Sequence, residues 1–106
     1  MKVEAALGFA QAAGRLASGD MAVTRELRRG NVHLVIIAGD SGQRTLRRFR
    51  QMCEAQGVPW RRWGSKNELG RLLGRPARSV VGVLDPDFAL RLQEALPAQE
   101  EGSGST

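Results

Sequence analysis

One run limits what this chain can become: Val32-His33-Leu34-Val35-Ile36-Ile37-Ala38. After His33 it is unbroken apolar and rich in β-branched residues, which stiffen an extended backbone and pack on a pleated surface. A strand with one wet face alternates apolar and polar residues. This one is apolar on both faces, as required at the centre of a sheet covered by helices on either side. The flanking sequence must therefore provide amphipathic helices.

It does. Between Val3 and Leu16, the residues Leu7, Ala10, Ala13 and Leu16 recur near helical spacing and predict an alanine-rich first helix. Ala17-Ser18-Gly19 interrupts it, and Asp20 is placed to cap a second helix reaching Arg29, with Val23 and Leu27 facing the core. Gly30-Asn31 ends that helix. After the central strand, Gly39-Asp40-Ser41-Gly42 turns the chain into a third helix, with Leu46, Phe49 and Cys53 on one stripe and Arg44, Arg47, Arg48 and Gln51 on other faces. Gly57 stops it. Val58 to Trp63 reads as a second strand, and Pro59 suggests an edge position because it cannot donate to the ladder. Ser65 caps a short helix carrying Leu69, Leu72 and Leu73, ended by Gly74-Arg75-Pro76. Ser79 to Leu84 is a further strand, Asp85 caps again, and a last helix presents Phe88, Leu92, Ala95 and Leu96 before Pro97. Strands alternating with helices in short units predict an α/β sandwich.

The 106 residues allow one domain, 1–97, and the Glu/Gly/Ser-rich stretch 98–106 is expected to be a disordered tail. No apolar run approaches the roughly 20 residues that span a bilayer. The opening Met1-Lys2-Val3-Glu4-Ala5 lacks the build of a signal peptide. The single Cys53 excludes an internal disulfide and suits a reducing compartment, so a cytoplasmic location is expected.

Reactive groups are scarce. His33 is the only histidine and leads into the central strand, where a structural role is expected; Cys53 lies on an apolar helical stripe. One Cys and one His provide no zinc ligand set. Gly39-Asp40-Ser41-Gly42-Gln43-Arg44-Thr45 stands where phosphate loops occur, between a strand and a helix, but lacks their spacing and their lysine. Asp85-Pro86-Asp87 reads more economically as a helix cap than as a carboxylate pair. The chain is thus expected to have no catalytic residues, no metal and no cofactor.

Charge supplies what reactivity does not. The net charge is +5, with 16 Lys/Arg against 11 Asp/Glu. Residues 15–78 hold 14 of the basic groups and 5 of the acidic ones, while the flanks are net acidic. A concentrated positive surface attracts polyanions by releasing counterions condensed on phosphates. The turn Gly19-Asp20 places backbone N–H groups at a helix start, a natural phosphate seat. One helical turn later, Arg25 reaches toward a phosphate or a guanine edge. Asp20 is available either as a cap or as an acceptor for base amino groups. Gly74-Arg75-Pro76-Ala77-Arg78-Ser79 is a small-residue loop with two guanidiniums that can approach a backbone closely. Trp60 and Trp63, beside Arg61 and Arg62, are candidates for base stacking, although alternation sends them to opposite faces and at least one to the core.

Four motifs in order carry a resemblance: Gly19-x-x-x-Val23-Thr24-Arg25-x-x-x-x-Gly30, Leu34-Val35-Ile36-Ile37-Ala38-x-Asp40, Cys53-x-x-x-Gly57-Val58-Pro59 and Ser65-Lys66-x-x-Leu69-Gly70-x-x-x-Gly74. Over residues 5–96 the chain resembles the ribosomal protein L7Ae/L30e superfamily. Its opening Leu7-Gly8-Phe9-Ala10-x-x-Ala13-Gly14-Arg15-Leu16-x-x-Gly19 is similar to the bacterial YlxQ-like branch. The resemblance implies a three-layer α/β/α sandwich with a small mixed four-stranded sheet, and binding of kink-turns or related bent RNA. It implies RNA contact by Gly19, Asp20, Met21 and Arg25, by Asp40 and Lys66, and by Arg75, Ala77, Arg78 and Ser79. Archaeal kink-turn binders carry Asn-Glu where this chain has Met21-Ala22, and those side chains recognise tandem sheared G·A pairs. Phosphate contact through the Gly19 turn, Arg25 and the second loop does not depend on them.

The leading expectation is a monomeric, non-enzymatic protein that binds structured RNA, with ribosomal RNA among the candidates. The alternative is a protein-interaction adaptor that docks an acidic partner on its basic face.

Overall fold

A computed structural model describes residues 2–97; the expected tail at 98–106 lies outside them. The described residues form helices α1 (Val3–Ala12), α2 (Asp20–Arg28), α3 (Gln43–Gln56), α4 (Lys66–Leu73) and α5 (Pro86–Ala95), and strands β1 (Leu16–Ser18), β2 (Leu34–Ile37), β3 (Trp60–Arg62) and β4 (Val80–Val83). The sheet order is β1-β4-β2-β3. β4 pairs antiparallel with both β1 and β2, while β2 and β3 run parallel, so the sheet is mixed. The Pro59 strand stands at the edge, and the run at Leu34–Ile37 stands inside it, every residue buried.

Alternation along the inner strands separates two cores. Leu34, Ile36, Val81 and Val83 pack with Leu7 of α1, Leu69 of α4 and Leu92 of α5. Val35, Ile37 and Val80 pack with Val23 and Leu27 of α2 and Phe49 and Cys53 of α3. The result is the three-layer sandwich: α1, α4 and α5 on one face, α2 and α3 on the other. Both cores are apolar, and among the described residues no polar or charged residue is buried.

Several local readings change. The first helix ends at Ala12, not Leu16; Ala13 is exposed and Leu16 opens β1. This strand has three residues, too few to show an alternating pattern, and its Ala17 is held by pairing with Gly82 rather than by its own propensity. Asp20 is not the cap of α2 but its first residue, with Gly19 at the cap position. Trp60 is 4% exposed in the α2/α3 core, so it is a core ring, while Trp63 packs partly buried against the other core. His33 is exposed, and its backbone N–H donates to Val83 O at 2.8 Å.

Candidate nucleic-acid interface

Strand direction gathers the candidate residues. β1 ends where β4 begins, with Ser18 opposite Val81; β2 ends there too, with Ile37 opposite Val80; β3 runs parallel to β2, with Arg62 opposite Ile37. The Gly19 turn, the 39–42 loop, the start of α4 and the 74–79 loop therefore share one edge of the sheet. Sequence separations of up to about 60 residues collapse there.

At this edge an open groove is lined by Ser18, Gly19, Asp20, Met21, Ala22 and Arg25 from the β1–α2 side, Thr45 from α3, and Ala77, Arg78 and Ser79 from the loop before β4. Gly19 makes the entry possible. Its φ of +92° and ψ of 161° belong to a region that essentially only glycine occupies. Its N–H donates to Val80 O at 2.9 Å, which fastens the turn to β4. No side chain caps α2. Its first N–H groups have no intrahelical acceptor, and they stand at the groove with the positive end of the helix dipole.

The opposite wall is equally fixed. Arg78 Nε donates to Ser18 Oγ at 3.3 Å, one terminal nitrogen donates to Pro76 O and Ala77 O, and its backbone N–H donates to Lys66 O. Ser41 Oγ donates to Ser79 O at 3.2 Å. Beneath the loop lies Gly70 of α4. A Cβ there would fall 2.3 Å from Pro76 O and 2.8 Å from Arg75 O, so the loop rests directly on the helix backbone. Gly70 was visible in the sequence only as a member of a motif; its role follows from this contact.

The remaining candidates divide. Arg25 lines the groove with 57% of its side chain exposed, its Nε 3.5 Å from Glu26. Asn31 Nδ2 donates to Glu26 at 2.9 Å, and with Arg29 and Arg25 nearby this holds the Glu26 carboxyl below its ordinary value, hence charged. Met21 is 85% exposed. Asp20 is engaged by Arg48 of α3, which also donates to Thr24 Oγ1 at 3.4 Å, so its carboxylate already has a donor. Asp40 accepts the Lys66 backbone N–H at 2.8 Å and helps close the start of α4, where Ser65 and Glu68 form a reciprocal capping box. Lys66 lies beyond the groove lining, and Arg75 lines an adjoining recess with Ser18, Ala22, Arg25 and Arg78.

Ser18, Thr45 and Arg48 were not among the sequence candidates. Ser18 belongs to the strand too short to recognise, and the start of α3 reaches α2 only through tertiary packing. Cys53 is fully buried, and burial pushes its thiol up to about 12, so it stays protonated as a core group. Among the described residues there is no group of three or more His, Cys, Asp or Glu able to hold a metal, and no helix is long and apolar enough to cross a membrane.

Known proteins are similar to this chain. The chain is 35% identical over 86 residues to the RNA-binding protein YlxQ of Bacillus subtilis (strain 168), covering 81% of this chain and 86% of that one. A second relative, the RNA-binding protein YlxQ of Enterococcus faecium, is 27% identical over 90 residues, covering 85% and 86%. A solved structure from Bacillus halodurans C, described as a protein with unknown function, superposes with a TM-score of 0.85 at 32% identity, covering 89% of this chain and 95% of that one. Residues 1–92 match the ribosomal protein L7Ae/L30e/S12e/Gadd45 family, and the chain belongs to that family.

Proposed function

We propose that this protein binds structured RNA, without catalysing a reaction, in the groove between the Gly19 turn and the Ala77–Ser79 loop. The observation that carries the reading is the convergence of an uncapped helix start, Arg25 and Arg78 on one groove. The names of the YlxQ relatives support RNA as the polyanion. The donors suit phosphate oxygens: backbone N–H groups at the helix start, and guanidiniums that offer two parallel hydrogen bonds. A kink-turn or similarly bent element would present a sharply folded backbone to both walls at once.

Met21 and Ala22 occupy the exposed first turn of α2. A thioether and a methyl group cannot read base edges by paired hydrogen bonds. Affinity then comes mainly from backbone contacts and shape, which makes it strongly salt-dependent and tolerant of base identity. Asp40 and Lys66 contribute by shaping the edge, with the Lys66 ammonium adding charge beside the groove.

Titration of a kink-turn RNA, a straight duplex and a single strand, each at two salt concentrations, tests the reading. The kink-turn is expected to bind tightest, with affinity falling steeply as salt rises. Equal, nonspecific affinity for all three would overturn it and favour an acidic protein as the partner of the basic face. Replacing Met21 with Asn and Ala22 with Glu together is expected to raise the preference for RNA with tandem G·A pairs. An unchanged preference would mean that this turn does not meet those pairs.

A further inference from the structure

Beside the rim groove runs a second one, lined by Asp20, Met21, Thr24, Arg25, Arg28, Arg29 and Arg48. Asp20, Met21 and Arg25 line both, so the two form one continuous surface from the sheet edge along α2. Asp20, Thr24 and Arg28 recur every four residues and make one stripe of α2. Arg48 meets that stripe from α3, and Arg44 stands one turn before it. Asp20, the carboxylate lining this surface, already pairs with Arg48, and nearby Glu26 pairs with Arg25 and Arg29. Arg28 and Arg44 are exposed and make no ion pair or hydrogen bond with a described residue. The surface thus keeps guanidiniums whose charge no described residue offsets.

Distance decides what Arg28 serves. Arg28 lies eight residues beyond Asp20, about 12 Å along the helix axis. That exceeds the screening length of about 10 Å at 0.1 M salt, so Arg28 adds little to an RNA confined to the rim. It acts only if phosphates are brought to it. We infer that the α2/α3 groove is a second RNA-backbone site, which takes the phosphates of a double-helical stem continuing from the element held at the rim. This extends the RNA-binding reading and rests on it. Charge complementarity and the shared wall favour the stem over an acidic protein, which would have no reason to follow the groove from the rim.

The test compares two RNAs with the same bent element, one with a short flanking stem and one with that stem longer by a helical turn. The intact protein is expected to bind the longer RNA about three- to tenfold tighter. Arg28→Ala should reduce that gain and lower the salt slope on the longer RNA by about one, for one lost phosphate contact, with little change on the shorter. Arg91→Ala, on the other helical layer, serves as the charge control and should leave both RNAs unaffected. Equal affinity of the intact protein for the two RNAs would overturn the second site while leaving the rim reading intact. The same loss on both RNAs, or a matching loss from Arg91→Ala, would reduce Arg28 to bulk charge and also overturn it. Specific binding to neither RNA would reject the rim reading and this one together.

Discussion

The two helical layers cover the same sheet by the same physics and face water differently. Toward the sheet each presents fully buried aliphatic residues, Val23 and Leu27 from α2 on one face, Leu7 and Leu92 from α1 and α5 on the other. Toward solvent, α2 with the Arg29 that ends it, and α3, carry Arg25, Arg28, Arg29, Arg44, Arg47, Arg48 and Arg50 against Asp20, Glu26 and Glu54. The helices α1, α4 and α5 carry Lys66, Arg71 and Arg91 against Glu4, Glu68, Asp87 and Glu94. Helix capping does not divide by layer: Ser65 and Asp85 side chains close α4 and α5, while α1, α2 and α3 have no side-chain cap. Burial of apolar area does not depend on the charge of the outward face, so one layer can gather the positive field without loss of packing. The net charge of +5 is concentrated on a side of the molecule.

Three experiments break or sharpen this contrast. The largest effect concerns what the layers share. Leu27→Ala and Leu92→Ala each empty a fully buried site, one per layer, and each is expected to cost about 2–5 kcal/mol in urea unfolding. If only one of them were costly, the layers would not be equal partners in the core.

The next crosses between layers. Gly70→Ala forces a Cβ against the backbone of Pro76, and overpacking of this kind costs about 1–3 kcal/mol. The loop at Arg75–Ser79 must shift, so RNA affinity is expected to fall even though α4 belongs to the less basic layer. Full affinity in a stable Gly70→Ala protein would remove that loop from the interface.

The smallest separates the layers by charge alone. Arg25→Ala is expected to leave thermal stability nearly unchanged, since the Arg25 side chain is mostly exposed. It should weaken RNA binding and lower the salt slope by about one. Arg91→Ala removes the same charge from α5 and should do neither. Equal effects from both would make the asymmetry of the two faces irrelevant to binding.

Most of the fold was legible because its strongest signals are local. Ser65 with Glu68 and Asp85 with Phe88 give helix starts within four residues, and the continuous run at Leu34–Ile37 has no other economical home than a doubly covered strand. The misreadings occur where a residue's partner is far away in sequence. Leu16–Ser18 is a strand only because β4 pairs with it. Asp20 is a good cap by type, yet Arg48, 28 residues on, holds its carboxylate while Gly19 takes the cap position. The Lys66 N–H that Asp40 accepts, 26 residues away, was likewise beyond the reach of local pattern.

The sequence by itself determined the class of fold, the two-faced central strand, the excess of arginine between residues 15 and 78, and the glycine that a turn before α2 requires. Each of these depends on residue type and near neighbours. Only the tertiary structure decided that β1 completes the sheet, that the Gly19 turn and the Arg78 loop form the walls of one groove, and that seven arginines share one layer. Those outcomes depend on strand direction and on which helix faces which side of the sheet. Such choices are settled by long-range pairing and core packing, whose energies no short stretch of the chain contains.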